Sequence, residues 1–552
     1  MLPHIIPEIS EWPISKLSDS RRQFIKEIDQ YTLNKIKELY PSIHSLADLI
    51  AKIIYLEKIR MKEEPWKVDP PKEKIFWKKI RLNLQSIDSK NSNEAEVLLH
   101  ELLGKIINRY SEEIVGTFNK KTFLFARRFL KFFFKTLLKS STSFLLKPSP
   151  NSMDNHLLAM GKVDSIRNLF KKGTVVIVPT HFSNLDSILI GYAIDTFVGL
   201  PSFSYGAGLN LYNTGYTAYF MNRLGAYRVD RRKKNPIYLE TLKTMSNLSI
   251  QRGTNSLFFP GGTRSRSGEM ESKFKLGLLG TVVEAQRNLA QSEKRDKIFV
   301  VPLILSYHFV LEAQFLIESY LKNIGKEKYL FGKDEFNSFR KILKFTWLIF
   351  SKRNEILLSF GQPMDVLGNP VNDNGDSISP DGKLIDVNQY FRASNGNIQP
   401  NLQSEAEFTK ILANKIIERY KVDNIILTSH LVAFTTFLIF KEQNKRLDLY
   451  GLLQLPVDDF SIKISTLVHN IKIALNYLRK MEAGGNLQLS PKFKEDEYTI
   501  IVDGVKRLGS YHVKKPLIIK GDTIKSENFK LLFYYHNRLS VYHLERHIDL
   551  KI

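Results

Sequence analysis

Along the first part of the chain, apolar residues recur at helical spacing. Val97, Leu98, Leu102, Leu103, Ile106 and Ile107 mark one such stripe, and Ser92-Asn93-x-x-Glu96 ahead of it resembles an N-cap. The spacing predicts a helical N-terminal region over residues 1–150. From about residue 155 the pattern changes to short β-branched and aromatic runs. Thr174 to Val178, Ser256 to Phe259, Ile298 to Leu305 and Ile356 to Phe360 read as buried strands, with Pro236 to Ile250 and Gly277 to Leu289 as helices between them. This alternation predicts an α/β domain with a central sheet over residues 151–400, with chemistry at the strand ends. Asp365 to Leu402 is rich in Asn, Asp, Gly, Ser and Pro and reads as a long excursion or linker. Beyond it, residues 401–552 read as mainly helical: Ala406 to Phe440 returns to helix, and a hairpin is expected around Thr499 to Asp503 and Pro516 to Lys520.

A spanning helix needs about 20 apolar residues, and the best stretches fail. Ile425 to Phe440 has 16 uncharged residues but includes His430, and Thr196 to Asn222 is broken by Gly, Pro and Asn. The start, MLPHIIPEIS, lacks a basic segment followed by an apolar one, so no secretory leader is expected. Both observations predict a protein on the cytoplasmic side, peripheral or monotopic if it meets a membrane.

Charge adds a partner class. The 552 residues carry 81 Lys and Arg against 57 Asp and Glu, a net charge of +24, which points to nucleic acid, an acidic membrane surface or phosphorylated substrates. The imbalance is sharpest between Glu113 and Asp154, where Lys120, Lys121, Arg127, Arg128, Lys131, Lys135, Lys139 and Lys147 face no acid in sequence. On a helix, Lys121, Arg128, Lys131, Lys135 and Lys139 form one stripe. The apolar residues Phe125, Phe129, Leu130, Phe132, Phe133 and Leu137 are expected on the other side. A segment of this kind near 120–147 suits an anionic membrane interface or, equally, a buried helix with a solvated edge. No stacking or groove-reading motif supports nucleic acid as a partner, and none is expected.

The chain has no cysteine, which excludes disulfide scaffolds, thiolate metal sites and a cysteine nucleophile. It also lacks G-x-S-x-G, H-E-x-x-H, a P-loop and a G-x-G-x-x-G after a strand. What remains is Val178-Pro-Thr-His-Phe-Ser-Asn-Leu-Asp186, directly after a predicted strand. Residues five apart do not meet on a continuous helix, but a strand-to-helix turn can bring Asp186 back onto His181. Such a carboxylate would fix the imidazole tautomer and leave the second nitrogen free to take a proton from a hydroxyl. A second constellation is Phe258-Phe-Pro-Gly-Gly-Thr-Arg-Ser-Arg-Ser-Gly268, whose glycines and guanidinium groups suit an oxyanion or a plain basic surface turn. A third cation cluster spans Gly225 to Lys234.

Taken in order, His181 and Asp186, then Gly225 to Arg231, then the Gly-Gly-Thr-Arg-Ser-Arg loop, then Val301-Pro302 with Ser306 to Glu312 match the four motifs of the glycerolipid acyltransferase family. The chain resembles the bacterial type of glycerol-3-phosphate acyltransferase and its dihydroxyacetone-phosphate relatives. Lys275-Leu-Gly277, Phe360-Gly-Gln-Pro363 and Leu532 to Leu539 extend the likeness. The resemblance implies an α/β fold with a central mixed sheet flanked by helices. It also implies His181 as general base, with Asp186 as its orienting partner. Arg231, Arg264, Arg266 and Lys275 would hold the acceptor phosphate. Gly225, Gly262, Thr263 and Pro302 would shape the acceptor and acyl pocket. The donor would be acyl-CoA or acyl carrier protein acting as co-substrate, with no metal and no further cofactor. Glycerol 3-phosphate is the implied acceptor, and lysophosphatidate, another lysolipid or a silent lipid-binding role are the alternatives. Three positions depart from the pattern. Thr180 and Phe182 flank the His where relatives carry Asn or Arg. Arg228 sits in a mostly apolar motif and is expected to face solvent. Gly261 stands where the third motif has Glu, and Glu269 is the nearby carboxylate that could substitute.

Overall fold

The computed structural model describes the chain except residues 1, 67, 90, 140–156, 213–214, 293–295, 325–354, 549 and 551–552. The N-terminal part is helical, as its periodicity predicts: α1 (Pro13–Asp19), α2 (Arg21–Leu39), α3 (Ile43–Glu63), α4 (Glu73–Gln85), α5 (Ser92–Ile114) and α6 (Lys120–Lys139). The cap of α5 is Asn91, one residue before the expected Ser92: its side chain accepts the Glu94 N–H at 2.9 Å. Leu102, Leu103, Ile106 and Ile107 are fully buried, each such side chain contributing about 1.5–3 kcal/mol.

The sheet has seven strands: β1 (Leu157–Gly161), β2 (Gly173–Pro179), β3 (Ser204–Gly208), β4 (Ala226–Val229), β5 (Ser256–Leu257), β6 (Lys297–Tyr307) and β7 (Ile356–Phe360). Their order is β1-β7-β6-β2-β5-β3-β4, and every neighbouring pair is parallel except β6 with β7, so the sheet is mixed. β2, β6 and β7 are buried almost throughout. That explains why they read as unbroken apolar runs: helices cover both faces. The strands that the pattern does not announce are β1, β3 and β4. β3 is Ser-Tyr-Gly-Ala-Gly and β4 only four residues long, too short and too poor in β-branched residues to stand out.

Helices α7 (Val163–Leu169), α8 (Asp186–Ala193), α9 (Gly215–Met221), α10 (Pro236–Gln251), α11 (Leu276–Gln291) and α12 (Ala313–Asn323) are interleaved with these strands. After β7 follow α13 (Leu402–Val422), α14 (Thr428–Gln443), α15 (Ile464–Ala483), α16 (Glu497–Arg507) and α17 (Phe529–His536). The single helix expected over Ala406 to Phe440 is thus two, broken at Asp423 to Leu427. The expected hairpin is also corrected. Thr499 to Asp503 lies in α16, capped by Asp496 and burying Ile500, Ile501, Gly504 and Val505, which is a helical face. Ile518–Lys520 pairs instead with Thr523–Lys525. The excursion after β7 is packed down by Val366, Leu367, Val371 and Phe391. Its Asp and Asn side chains close a series of turns, such as Asp365 accepting the Leu367 and Asn369 N–H groups.

Two cores organise the molecule. One is built by α2 to α5 together with Tyr227, Ile237, Tyr238 and Met245, so the N-terminal helices pack on β4 and α10. The other runs unbroken from the sheet through α13 to α17. The change of element type near residue 400 is therefore not a break in packing.

Candidate active site

β2 ends at Pro179 and α8 begins at Asp186, and the six residues between them form the turn that the sequence singles out. Thr180 ties the turn to β6: its N–H donates to the Leu303 carbonyl at 2.9 Å, and its hydroxyl accepts the Leu305 N–H at 3.1 Å. The chain then folds back, and Asp186 Oδ2 lies 2.8 Å from His181 Nδ1 while also accepting the Phe182 and Ser183 N–H groups at 2.7 and 3.0 Å. Asp186 is fully buried, and Tyr307 at the end of β6 donates its hydroxyl to Oδ1 at 2.5 Å. A carboxylate held by these donors orients the imidazole and leaves Nε2 for substrate. The His181 ring stacks on Phe259 at 4.0 Å.

The Arg loop wraps the same turn. The Ser265 N–H donates to the His181 carbonyl at 2.8 Å. Gly262 has a positive φ of 74°, and a Cβ there would lie 2.8 Å from Lys275 Cδ, so glycine lets the Lys275 side chain lie across the loop. Arg264 Nη1 lies 3.3 Å from the buried Glu312, which accepts from Ser183 Oγ and the Asn184 N–H, both at 2.9 Å. Burial pushes the Glu312 carboxyl up, with the Arg264 charge opposing. Arg231 is lowered by burial and by the charge of Arg264, so the two cations lie within electrostatic reach of each other. Two guanidinium groups close enough to feel each other's charge near His181 suit an anionic partner. Thr263 and Arg266 lie exposed in the same loop.

Two expected pocket residues make close backbone contacts. Gly225 has φ of 87° and packs against Ile14 of α1, where a Cβ would lie 2.2 Å from Cδ1; it closes a tight approach between chain segments. Pro302 pairs with Val178 inside the sheet and accepts the Gly361 N–H at 2.9 Å. Arg228 does not simply face solvent: it donates to Asn222 and lies over the Tyr212 ring at 5.0 Å. Glu269 is exposed, and the carboxylate beside Gly261 is Glu271, whose Oε1 accepts the His181 N–H at 2.7 Å.

Tyr307, Glu312 and Glu271 are the site residues that motif spacing did not single out by role. The first two were legible only as members of the fourth motif, and Glu271 had no signal beyond its nearness to the loop. Arg538 was also missed. It follows α17, lies fully enclosed with its guanidinium 3.7 Å from the Phe182 ring centre, and donates to the Leu305 carbonyl. Burial lowers it to about 10. Asn537 donates to the Ser267 carbonyl at 2.8 Å, so the C-terminal tail clamps the Arg loop from behind.

An apolar cavity of 220 Å³ adjoins the turn, lined by Leu185, Ile188 and Tyr192 on one side and by Phe123, Arg127 and Leu130 of α6 on the other. Arg127 reaches Asp195 at 2.8 Å and pins α6 there. On its outer face α6 exposes Lys121, Arg128 and Lys131 together with Phe125 and Phe132, which are 58% and 69% exposed. These two aromatics sit beside the cations and not opposite them, because the inward face is already filled by Phe123, Ala126 and Leu130. Lys147 lies outside the described residues. Among the described residues no helix is long and apolar enough to cross a membrane, and no cluster of metal-ligating side chains occurs.

Residues 161–306 match the model of the family described as Acyltransferase. Among curated proteins, the chain is similar to a glycerol-3-phosphate acyltransferase from Pseudomonas fluorescens, 24% identical over 296 residues that cover 53% of this chain and 32% of that protein. A glycerol-3-phosphate acyltransferase from Aeromonas hydrophila is 30% identical over 177 residues, 32% of this chain and 21% of that protein. The chain thus spans about a third or less of the length of the curated relatives it matches. Among solved structures it is similar to a 1-acyl-sn-glycerophosphate (LPA) acyltransferase from Thermotoga maritima, with a TM-score of 0.23 and 15% identity, covering 45% of this chain and 85% of that one.

Proposed function

The chain carries an acyltransferase-family domain over residues 161–306, and from that premise we propose that it moves a fatty acyl group from an acyl thioester to the hydroxyl of glycerol 3-phosphate in phospholipid biosynthesis. The observation that carries this reading is the His181–Asp186 pair at 2.8 Å with Arg264 tied through Glu312 to the same turn. His181 Nε2 takes the proton of the acceptor hydroxyl as its oxygen attacks the thioester carbonyl. The tetrahedral intermediate then expels the thiolate, which takes that proton from the imidazolium, leaving an ester and a free thiol. Asp186 stabilises the imidazolium, and Tyr307 and two backbone N–H groups hold Asp186 in place. Arg231 and Arg264, with Arg266 and Lys275 nearby, bind the phosphate and set the hydroxyl against the base.

The donor is acyl-CoA or acyl carrier protein, and its chain enters the cavity between α6 and α8. The outer face of α6 rests on an anionic membrane, its cations at the headgroups and Phe125 and Phe132 at the acyl boundary, with the protein peripheral on the cytoplasmic face in this reading. The test is thiol release from an acyl thioester offered glycerol 3-phosphate and lysophosphatidate in parallel. Release with glycerol 3-phosphate supports the reading, release only with lysophosphatidate moves the acceptor, and no release with either rejects the reading.

A further inference from the structure

The least explained group at the site is Glu271. Its Oε1 accepts the N–H of His181, the residue that carries the base, while Oε2 is buried without a hydrogen-bond partner among the described residues. Burial raises its carboxyl to about 7, with the charge of Asp186 adding to the rise and that of Arg538 opposing it. A carboxylate this enclosed costs stability.

Glu271 lies directly beside Gly261. A Cβ built on Gly261 lies 3.0 Å from Glu271 Cγ and 3.5 Å from the Oε1 atom that holds His181. Gly261 is not among the glycines with positive φ, so its backbone accepts a side chain. A Glu at 261 could reach the same N–H, but not while Glu271 fills the space.

We propose that Glu271 is a positioning residue for the proposed base, and that its carboxylate and one carried on residue 261 are interchangeable occupants of a single site. This rests on the reading of His181 as general base. The groups that face Glu271 are the His181 backbone from the turn, Asp186 at the start of α8, Arg538 from the tail and Tyr420 of α13, whose phenol is raised by burial and by the Glu271 charge. Of these, only the His181 N–H donates a hydrogen bond to the carboxylate. Loss of that bond frees the turn and displaces the ring carried on it.

Four full-length proteins test this: wild type, Glu271→Ala, Gly261→Glu, and the double variant. Hydrogen exchange at the peptide spanning His181 is read by mass spectrometry, and kcat and KM for acyl transfer are read on the same samples. Glu271→Ala is expected to speed exchange at that peptide by at least tenfold. It should also lower kcat by about 10- to 100-fold, the scale of a displaced catalytic group, with KM for the acceptor little changed. Gly261→Glu alone crowds two carboxylates into one space and lowers kcat as well. The double variant restores slow exchange and brings kcat back to within about fivefold of wild type, a coupling of the sign expected for residues that share a site. A double variant no better than the two singles combined overturns the proposal, as does unchanged exchange in Glu271→Ala. If wild type transfers no acyl group at all, the functional reading fails, and the exchange measurement still decides whether one carboxylate site serves both positions.

Discussion

Two cation clusters that look alike in sequence have opposite fates in the structure. In the run Arg231 to Lys234, Lys233 is buried with its ammonium 2.5 Å from Glu113, and Arg232 reaches Asp230 at 2.8 Å and stacks on Trp66 at 4.3 Å. Arg60 joins the same network through Glu57 at 2.7 Å and Glu73 at 2.6 Å. In that run only Arg231 and Lys234 keep open surface, Arg231 being partly enclosed near Arg264. On α6, by contrast, Lys121, Arg128 and Lys131 lie on the surface beside exposed Phe125 and Phe132. The first cluster locks the N-terminal helices against the loop that presents Arg231. The second is available to a partner. A charge run therefore says little until its partners are known, because a buried cation without a carboxylate is costly and a surface one is nearly neutral to stability.

The comparison is easiest to break at Lys233. Lys233→Met leaves Glu113 buried without its cation and is expected to lower unfolding stability by about 3–5 kcal/mol, read from denaturant midpoints. An unchanged midpoint would group Lys233 with the solvated cations. A buried acid gives the next effect. Glu271 ionises at 4.5 in its ordinary range and at about 7 in the fold, so between those values the folded chain keeps a proton that the unfolded chain has lost. Stability therefore falls as pH rises from 4.5 to about 7 and levels off above it. Glu271→Gln should remove that fall, so the wild-type melting temperature drops relative to the variant across this window; parallel curves would mean that the carboxyl is not perturbed.

Arg231→Ala should leave stability within about 0.5 kcal/mol, yet raise KM for a phosphorylated acceptor by about 10- to 100-fold, the loss of one charged hydrogen-bonded contact. The smallest effect on the fold belongs to Lys121→Gln, Arg128→Gln and Lys131→Gln combined, again within about 0.5 kcal/mol. These cations are worth about 1 kcal/mol each at an anionic surface. Flotation with phosphatidylserine vesicles at low salt should accordingly show about 100-fold weaker binding, and equal binding would remove α6 as the lipid-facing element.

Much of the fold was legible from the chain. β2, β6 and β7 read correctly because both faces of their sheet are covered and the apolar run is continuous. β3 and β4 did not, since glycine and short length hide a strand whose existence depends on its neighbours. Thr499 to Asp503 misled because a β-branched run is compatible with a helix once Asp496 caps it and α14 packs against it. At the site, the spacing of His181 and Asp186 foretold a turn, and the turn is there. Spacing could not reveal Tyr307, which lies 121 residues beyond the acid it bonds, Glu271, which lies 90 beyond the base residue it holds, or Arg538, which reaches Phe182 and Leu305 from the tail, because those contacts arise from sheet order and tail packing. Nor does any local pattern record that Gly225, which the resemblance implied for a pocket, packs against Ile14.

In the proposed reaction the imidazole of His181, oriented by Asp186, activates a hydroxyl for acyl transfer with a phosphate held beside it. The most direct measurement is thiol release by purified wild type, His181→Ala and Asp186→Asn, with an acyl thioester and glycerol 3-phosphate, alongside thermal unfolding of each. Release by wild type, a loss of at least about 100-fold in both variants and folded protein in all three samples are expected. Full activity in folded His181→Ala would contradict this mechanism.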